Sequence, residues 1–129
     1  MQLNRKNIKG RRTSDTFLAL PHNVINHPDF ISLSPRALKL LIDMASQYRG
    51  CNNGDLCVAF SIMSKRDWKS KSLLQNAIKE LLAKEFIILT RQGGRKIPGL
   101  YAITWRPIDD CNNKLDIKST KLAPKSFRV

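Results

Sequence analysis

Three residues, Asp67-Trp68-Lys69, separate two segments of helical pattern, and no other feature restricts the fold of this chain so strongly. So short a connection makes the two helices neighbours in space that share one core. Upstream, Ala59 to Arg66 can form a short helix with Phe60 and Met63 facing inward. Downstream, Ser70 is placed to cap a longer helix, because a serine oxygen accepts from the orphan amides of a first turn. Leu74, Ala77, Ile78, Leu81 and Leu82 recur at helical spacing through Lys84 and form its buried stripe, while Lys71, Ser72, Gln75, Asn76 and Lys79 fall on the other side.

The segments around this pair add to one domain, expected over residues 16 to 110. Ser34-Pro35-Arg36-Ala37 starts another helix, with the serine as cap and proline at a position that needs no amide. Leu38, Leu41, Ile42 and Ala45 give it one apolar face, with Lys39, Asp43 and Gln47 off that face and Gly50 placed to close it. Before it, Phe17 to Leu20 reads as a packed extended segment or edge strand stopped by Pro21, and Val24, Ile25 and Phe30 allow one short turn of helix. After it, Asn52-Asn53-Gly54-Asp55 signals a turn and Leu56-Cys57-Val58 a short strand. Phe86 to Arg91 and Gly99 to Trp105 are two β-prone runs joined by Gln92 to Pro98, a hairpin whose tip is basic and contains Gly93-Gly94. Residues 1 to 15 are expected as a flexible basic arm, and residues 111 to 129 as a basic tail, mobile unless it docks on a partner.

Charge narrows the partner. The 129 residues hold 23 Lys and Arg against 10 Asp and Glu, a formal charge of +13. An excess of that size favours a polyanion. Neither end carries an amphipathic helix suited to a membrane surface, and the apolar runs, Phe17 to Leu20 and Phe86 to Leu89 among them, are far short of the roughly 20 residues that span a bilayer. Nucleic acid is therefore the expected partner rather than membrane. The basic N-terminus runs into Thr13-Ser14-Asp15 instead of an apolar stretch, so the expected location is cytoplasmic. Cys51, Cys57 and Cys111 lack paired ligand spacing and are expected as reduced thiols, and with only His22 and His27 beside them no metal or other cofactor is expected. The chain has no glycine-rich phosphate loop, no nucleophile elbow and no HExxH, so catalysis is not expected either.

Helix, short strand, helix, three-residue turn, helix and hairpin is the element order of a winged helix-turn-helix, an α+β fold of about three helices with a C-terminal hairpin wing. PHNVINHPDFISLSPRALKLLIDMASQYRGCNNGDL, SKRDWKSKSLLQNAIKELLAKEFI, and TRQGG followed by LYAITWRPID resemble small winged-helix proteins and replication-protein domains of bacteria, phages and mobile elements. The resemblance covers about residues 17 to 110 and implies a double-stranded DNA partner, in transcription regulation or DNA replication. Asp67 stands where such proteins often have glycine, and aspartate tolerates the left-handed backbone of that turn better than most residues.

The chemistry of the exposed side chains agrees with a helix lying in the major groove. Gln75 and Asn76 can each pair with two atoms of an adenine edge, and Leu73 can touch a thymine methyl. Lys69, Ser70, Lys71 and Ser72 suit phosphates near the helix start, with Lys65, Arg66 and Lys79 extending the basic surface. Arg91, Arg95 and Lys96 at the hairpin suit a minor groove, and Arg11 and Arg12 in the arm suit DNA backbone or minor groove. Trp68 and Trp105 adjoin apolar runs and are expected in the core. A competing reading from the same surface is a protein-interaction module of a mobile element, an inhibitor or adaptor of a replication or host complex, and a homodimer is compatible with either. An RNA partner is disfavoured by the scarcity of exposed aromatic residues.

Overall fold

Two serine-capped helices carry the architecture. The computed structural model describes residues 15–128. Ser34 Oγ accepts from the Ala37 amide at 3.2 Å to start α3 (Pro35–Ala45), and Ser70 Oγ accepts from the Leu73 amide at 3.2 Å to start α5 (Lys71–Ala83). Two single turns, α1 (His22–Ile25) and α2 (Pro28–Ile31), precede them, and α4 (Phe60–Met63) runs into a 3₁₀ turn at Ser64–Arg66. The strands β1 (Ile87–Arg91) and β2 (Leu100–Ile103) pair antiparallel, with Ile87 opposite Ile103 and an irregularity between Leu89 and Arg91. The fold is thus α+β, helices packed beside a two-stranded hairpin. None of the described helices is long and apolar enough to cross a membrane.

α3 packs against α5, and β1 against α5, so the core lies where these three meet. α5 buries Leu74, Ala77, Ile78 and Leu81 as its spacing predicts, whereas Leu82, expected in the stripe, sits at the edge and stays exposed. The buried face of α3 is rotated from the expected one. Ala37, Leu40, Leu41, Met44 and Ala45 are fully buried, Leu38 and Ile42 only half-buried, and Asp43, expected to face solvent, is inside. α3 also stops at Ala45, short of Gly50, because the Asn52 side chain takes the Arg49 amide at 2.7 Å and donates to the Gln47 carbonyl at 2.9 Å, bonds that compete with another helical turn. Gly50, with φ 99°, bends the loop beyond the helix instead.

Two expected strands are reduced. Leu56-Cys57-Val58 makes a single bridge, Leu56 to Tyr101, rather than a strand. Phe17 to Leu20 joins no sheet, and only Leu18 and Leu20 lean on the core while Phe17 is 89% exposed. The turn at Asn53-Gly54 forms as expected, anchored by the fully buried Asn53 side chain, which donates to the carbonyls of Ile103, Arg106 and Pro107 and accepts from the Ile103 amide.

The largest departure is the C-terminal segment, which packs onto the fold rather than standing off as a mobile tail. Ile108 and Phe127 are each only 3% exposed, and the Phe127 ring stacks on Phe86 with centroids 5.5 Å apart. Backbone bonds fix the path: Asp116 N to Thr90 O at 2.8 Å, Thr120 N to Ile108 O at 3.0 Å and Lys125 N to Thr104 O at 3.1 Å. Apolar anchors nineteen positions apart create no periodicity, so the sequence carries no local signal of this docking.

Candidate functional site

The turn between α4 and α5 is held from behind by a buried carboxylate. Asp67 takes the left-handed conformation, φ 71° and ψ 24°, which lets the chain reverse toward Ser70. Trp68 then drops into the core, and its Nε1 donates to Asp43 Oδ2 at 2.9 Å. The same carboxylate accepts from Lys39 Nζ at 2.7 Å and from Arg66 Nε and Nη2 at 3.1 and 2.9 Å. Lys39 Nζ also reaches the Arg66 carbonyl at 2.7 Å, tying α3 to the turn a second time. Burial pushes the Asp43 carboxyl up, but the hydrogen bonds from Lys39, Trp68 and Arg66 outweigh it and hold the group below its ordinary value. Arg66, expected on the basic DNA-binding surface, is thus engaged within the fold, because a carboxylate buried among apolar groups needs a charged partner.

α5 presents its other face to solvent. Lys71, Ser72, Leu73, Gln75, Asn76 and Lys79 are all exposed, on the side away from the Leu74 and Ile78 stripe. Among the described residues, the side chains of Gln75, Asn76 and Lys79 make no hydrogen bond or ion pair. Ser70 and Ser72 share a hydroxyl contact at 3.0 Å, and Lys71 Nζ lies 5.7 Å from the Phe60 ring centre. Lys65 is exposed, and Lys69 pairs loosely with Asp67 at 3.5 Å, both side chains about four-fifths in water and so weakly bound.

A groove of about 510 Å³ runs between this face and the start of α3, lined by Ser34, Pro35, Arg36, Leu73, Asn76 and Glu80. Its floor is fixed by Glu80, which accepts from the Ser34 amide at 2.8 Å and from Ser34 Oγ at 2.7 Å. Those two bonds, the backbone one first, hold the Glu80 carboxyl below its ordinary value. Arg36 enters the candidate site here, beside Leu73 and Asn76, though no local pattern marks it. Only the packing of α3 on α5 brings the two sequence positions together.

The hairpin residues separate into two kinds. Arg91, expected at the basic tip, turns back on its own hairpin, with Nη2 donating to the Pro98 carbonyl at 2.9 Å and Nε buried without a partner among the described residues. Arg95 and Lys96 are exposed at the centre of a tight turn closed by bonds between Gly94 and Ile97 in both directions. Arg11 and Arg12 lie outside the described residues, as does the rest of the arm through residue 14.

The three cysteines are free, and burial, then the nearby Asp55 and Asp109, pushes the Cys111 thiol up rather than toward the reactive thiolate. Among the described residues no cluster of His, Cys, Asp and Glu is arranged to hold a metal ion. No family model, curated protein or solved structure matches the chain.

Proposed function

We propose that this chain is a winged helix-turn-helix protein that binds double-stranded DNA and acts by binding rather than catalysis. In this reading α5 enters the major groove and the hairpin of β1 and β2 is the wing. One observation carries it: α5 exposes two amides and a lysine, Gln75, Asn76 and Lys79, with no side-chain hydrogen bond or ion pair among the described residues, on a helix whose entry turn is clamped by Asp43. Exposed amides on a rigid helix suit bidentate contact with adenine edges, and Lys65, Lys71 and Lys79 suit the phosphates alongside. Arg95 and Lys96 supply the wing's basic tip, and Arg36 adds a cation beside Asn76.

The net charge of +13 supplies the sequence-independent part of such binding. A transcription regulator or replication accessory of a mobile element fits this chemistry, with a cytoplasmic location. The test is selection of bound sequences from a random duplex pool, followed by a salt titration on the selected site. The reading expects an enriched motif and affinity that falls steeply with salt, by about 0.9 log units per tenfold salt for each phosphate neutralised. Absence of duplex binding at low salt overturns it and transfers the same face to a protein partner.

A further inference from the structure

A second cavity, of about 250 Å³, opens at the other end of α3 from the Ser34 groove. It is lined by Thr16 to Ala19, by Tyr48, Arg49 and Gly50 just past the helix, and by Arg106 beyond β2. Among the described residues, two arginines line it and no carboxylate does. Arg106 Nε donates to Tyr48 Oη at 3.3 Å with its guanidinium 5.8 Å from the ring centre, and Arg49 Nη1 donates to the Ser46 carbonyl at 2.9 Å. Neither has a carboxylate partner among the described residues, in contrast to Arg66 on Asp43. At the rim stands Phe17, 89% exposed, the most exposed of the large apolar side chains described.

Two arginines that line one cavity without a carboxylate partner leave their charge to be met by an anion, and a bare aromatic ring beside them calls for a flat partner. A nucleotide with its base unpaired combines both, which is how single-stranded nucleic acids are held without sequence preference. We propose that this cavity takes one nucleotide of a single-stranded nucleic acid, its phosphate at Arg49 and Arg106 and its base against Phe17. The site goes beyond the duplex reading of α5 and does not rest on it. Within that reading it supplies a foothold for a strand freed from the duplex.

The test uses the full chain and a fluorescent oligo(dT) strand, read by anisotropy. Wild type binds at low salt. Phe17→Ala, which removes an exposed ring and leaves the core intact, weakens binding about tenfold. Arg49→Gln with Arg106→Gln weakens it by a similar factor and lowers the salt slope by about 0.7, the value for one phosphate on a single strand. Should that double variant unfold, Phe17→Ala decides alone. Gln75→Ala with Asn76→Ala leaves oligo(dT) binding unchanged. Failure of wild type to bind oligo(dT), or an equal loss in the Gln75 and Asn76 variant, overturns the site. So does full competition by a poly-glutamate peptide with no effect of Phe17→Ala, which assigns the cavity to acidic protein. A selected duplex that binds while oligo(dT) does not removes this site alone and leaves the α5 reading standing.

Discussion

Lysine 79 and lysine 125 sit in two basic regions that the fold uses in opposite ways. Lys79 lies on α5, whose apolar stripe turns every polar side chain on its far side to solvent, and it is exposed with no ion pair among the described residues. Lys125 lies in the aperiodic C-terminal segment, with a side chain only 18% exposed, paired with Asp29 at 3.5 Å and Glu85 at 3.8 Å. Its ammonium also sits 5.1 Å from the Phe127 ring centre and bonds the Lys84 carbonyl at 3.0 Å. The first lysine is available to a partner, and the second closes the fold over Phe86. Counting basic residues therefore does not locate an interface. What decides is whether the tertiary structure already supplies each cation with an anion, as Asp29 and Glu85 do for Lys125.

The sharpest way to break this contrast is to remove the aromatic anchor of the C-terminal segment. Phe127→Ala deletes a ring stacked on the fully buried Phe86 and should destabilise the protein by about 3 kcal/mol or more, read as a lower urea midpoint. A loss under about 1 kcal/mol would mean that the segment is an appendage after all.

Asp43→Ala comes next. It strands Lys39, Arg66 and the buried Trp68 Nε1, at an expected cost of about 2 to 4 kcal/mol, moderated because both cations are about half exposed. Acid titration sharpens the same point. Asp43 and Glu80 both have carboxyls held below their ordinary values in the folded protein, so the stability they add is present above the ordinary carboxylate range and is lost as pH falls through their lowered values. Urea midpoints should drop on acidification below about pH 4, and Asp43→Ala should show a shallower drop.

On α5 the effects should move from stability to affinity. Gln75→Ala and Asn76→Ala should each cost about 1 to 3 kcal/mol on a selected duplex, much less on random DNA, with the urea midpoint unchanged. Equal losses on both DNAs would reduce the two amides to bystanders or phosphate contacts.

The smallest pair of effects compares single lysines. Lys79→Ala should lower the duplex salt slope by about 1 without altering stability. Lys114→Ala, which breaks the 3.0 Å pair with Asp55, should cost no more than about 1 kcal/mol of stability and leave the slope alone. If the two variants exchange these signatures, the division between an outward-facing α5 and a structural C-terminal segment is wrong.

Local chemistry was legible in advance. Ser34 and Ser70 cap their helices, Asp67 takes the left-handed turn, Asn53-Gly54 reverses the chain, and Gln75, Asn76 and Lys79 stand outside the α5 stripe. Each depends on residues within one or two turns of chain, where hydrogen-bond reach and helical period leave few alternatives. The buried face of α3 is not legible in this way, because Leu38, Leu40, Leu41 and Ile42 cover so wide an arc that their spacing leaves its rotation open, and packing on α5 selects Leu40 and Met44.

Read alone, the sequence determined where α3 and α5 begin, where the chain turns at Asn53-Gly54 and Asp67, and which side of α5 is polar, since those outcomes follow from neighbouring residues. Tertiary structure alone decided that Asp43 is buried and holds Arg66, twenty-three positions away, and that Arg36 stands beside Asn76. It also decided that Phe127 seals Phe86 and that Arg49 and Arg106 share a cavity. A carboxylate or a phenyl ring carries no local signal of the partner it will meet. Its environment is set by which distant surfaces the whole core brings together, and burial then fixes which charges must be paired inside and which remain for another molecule.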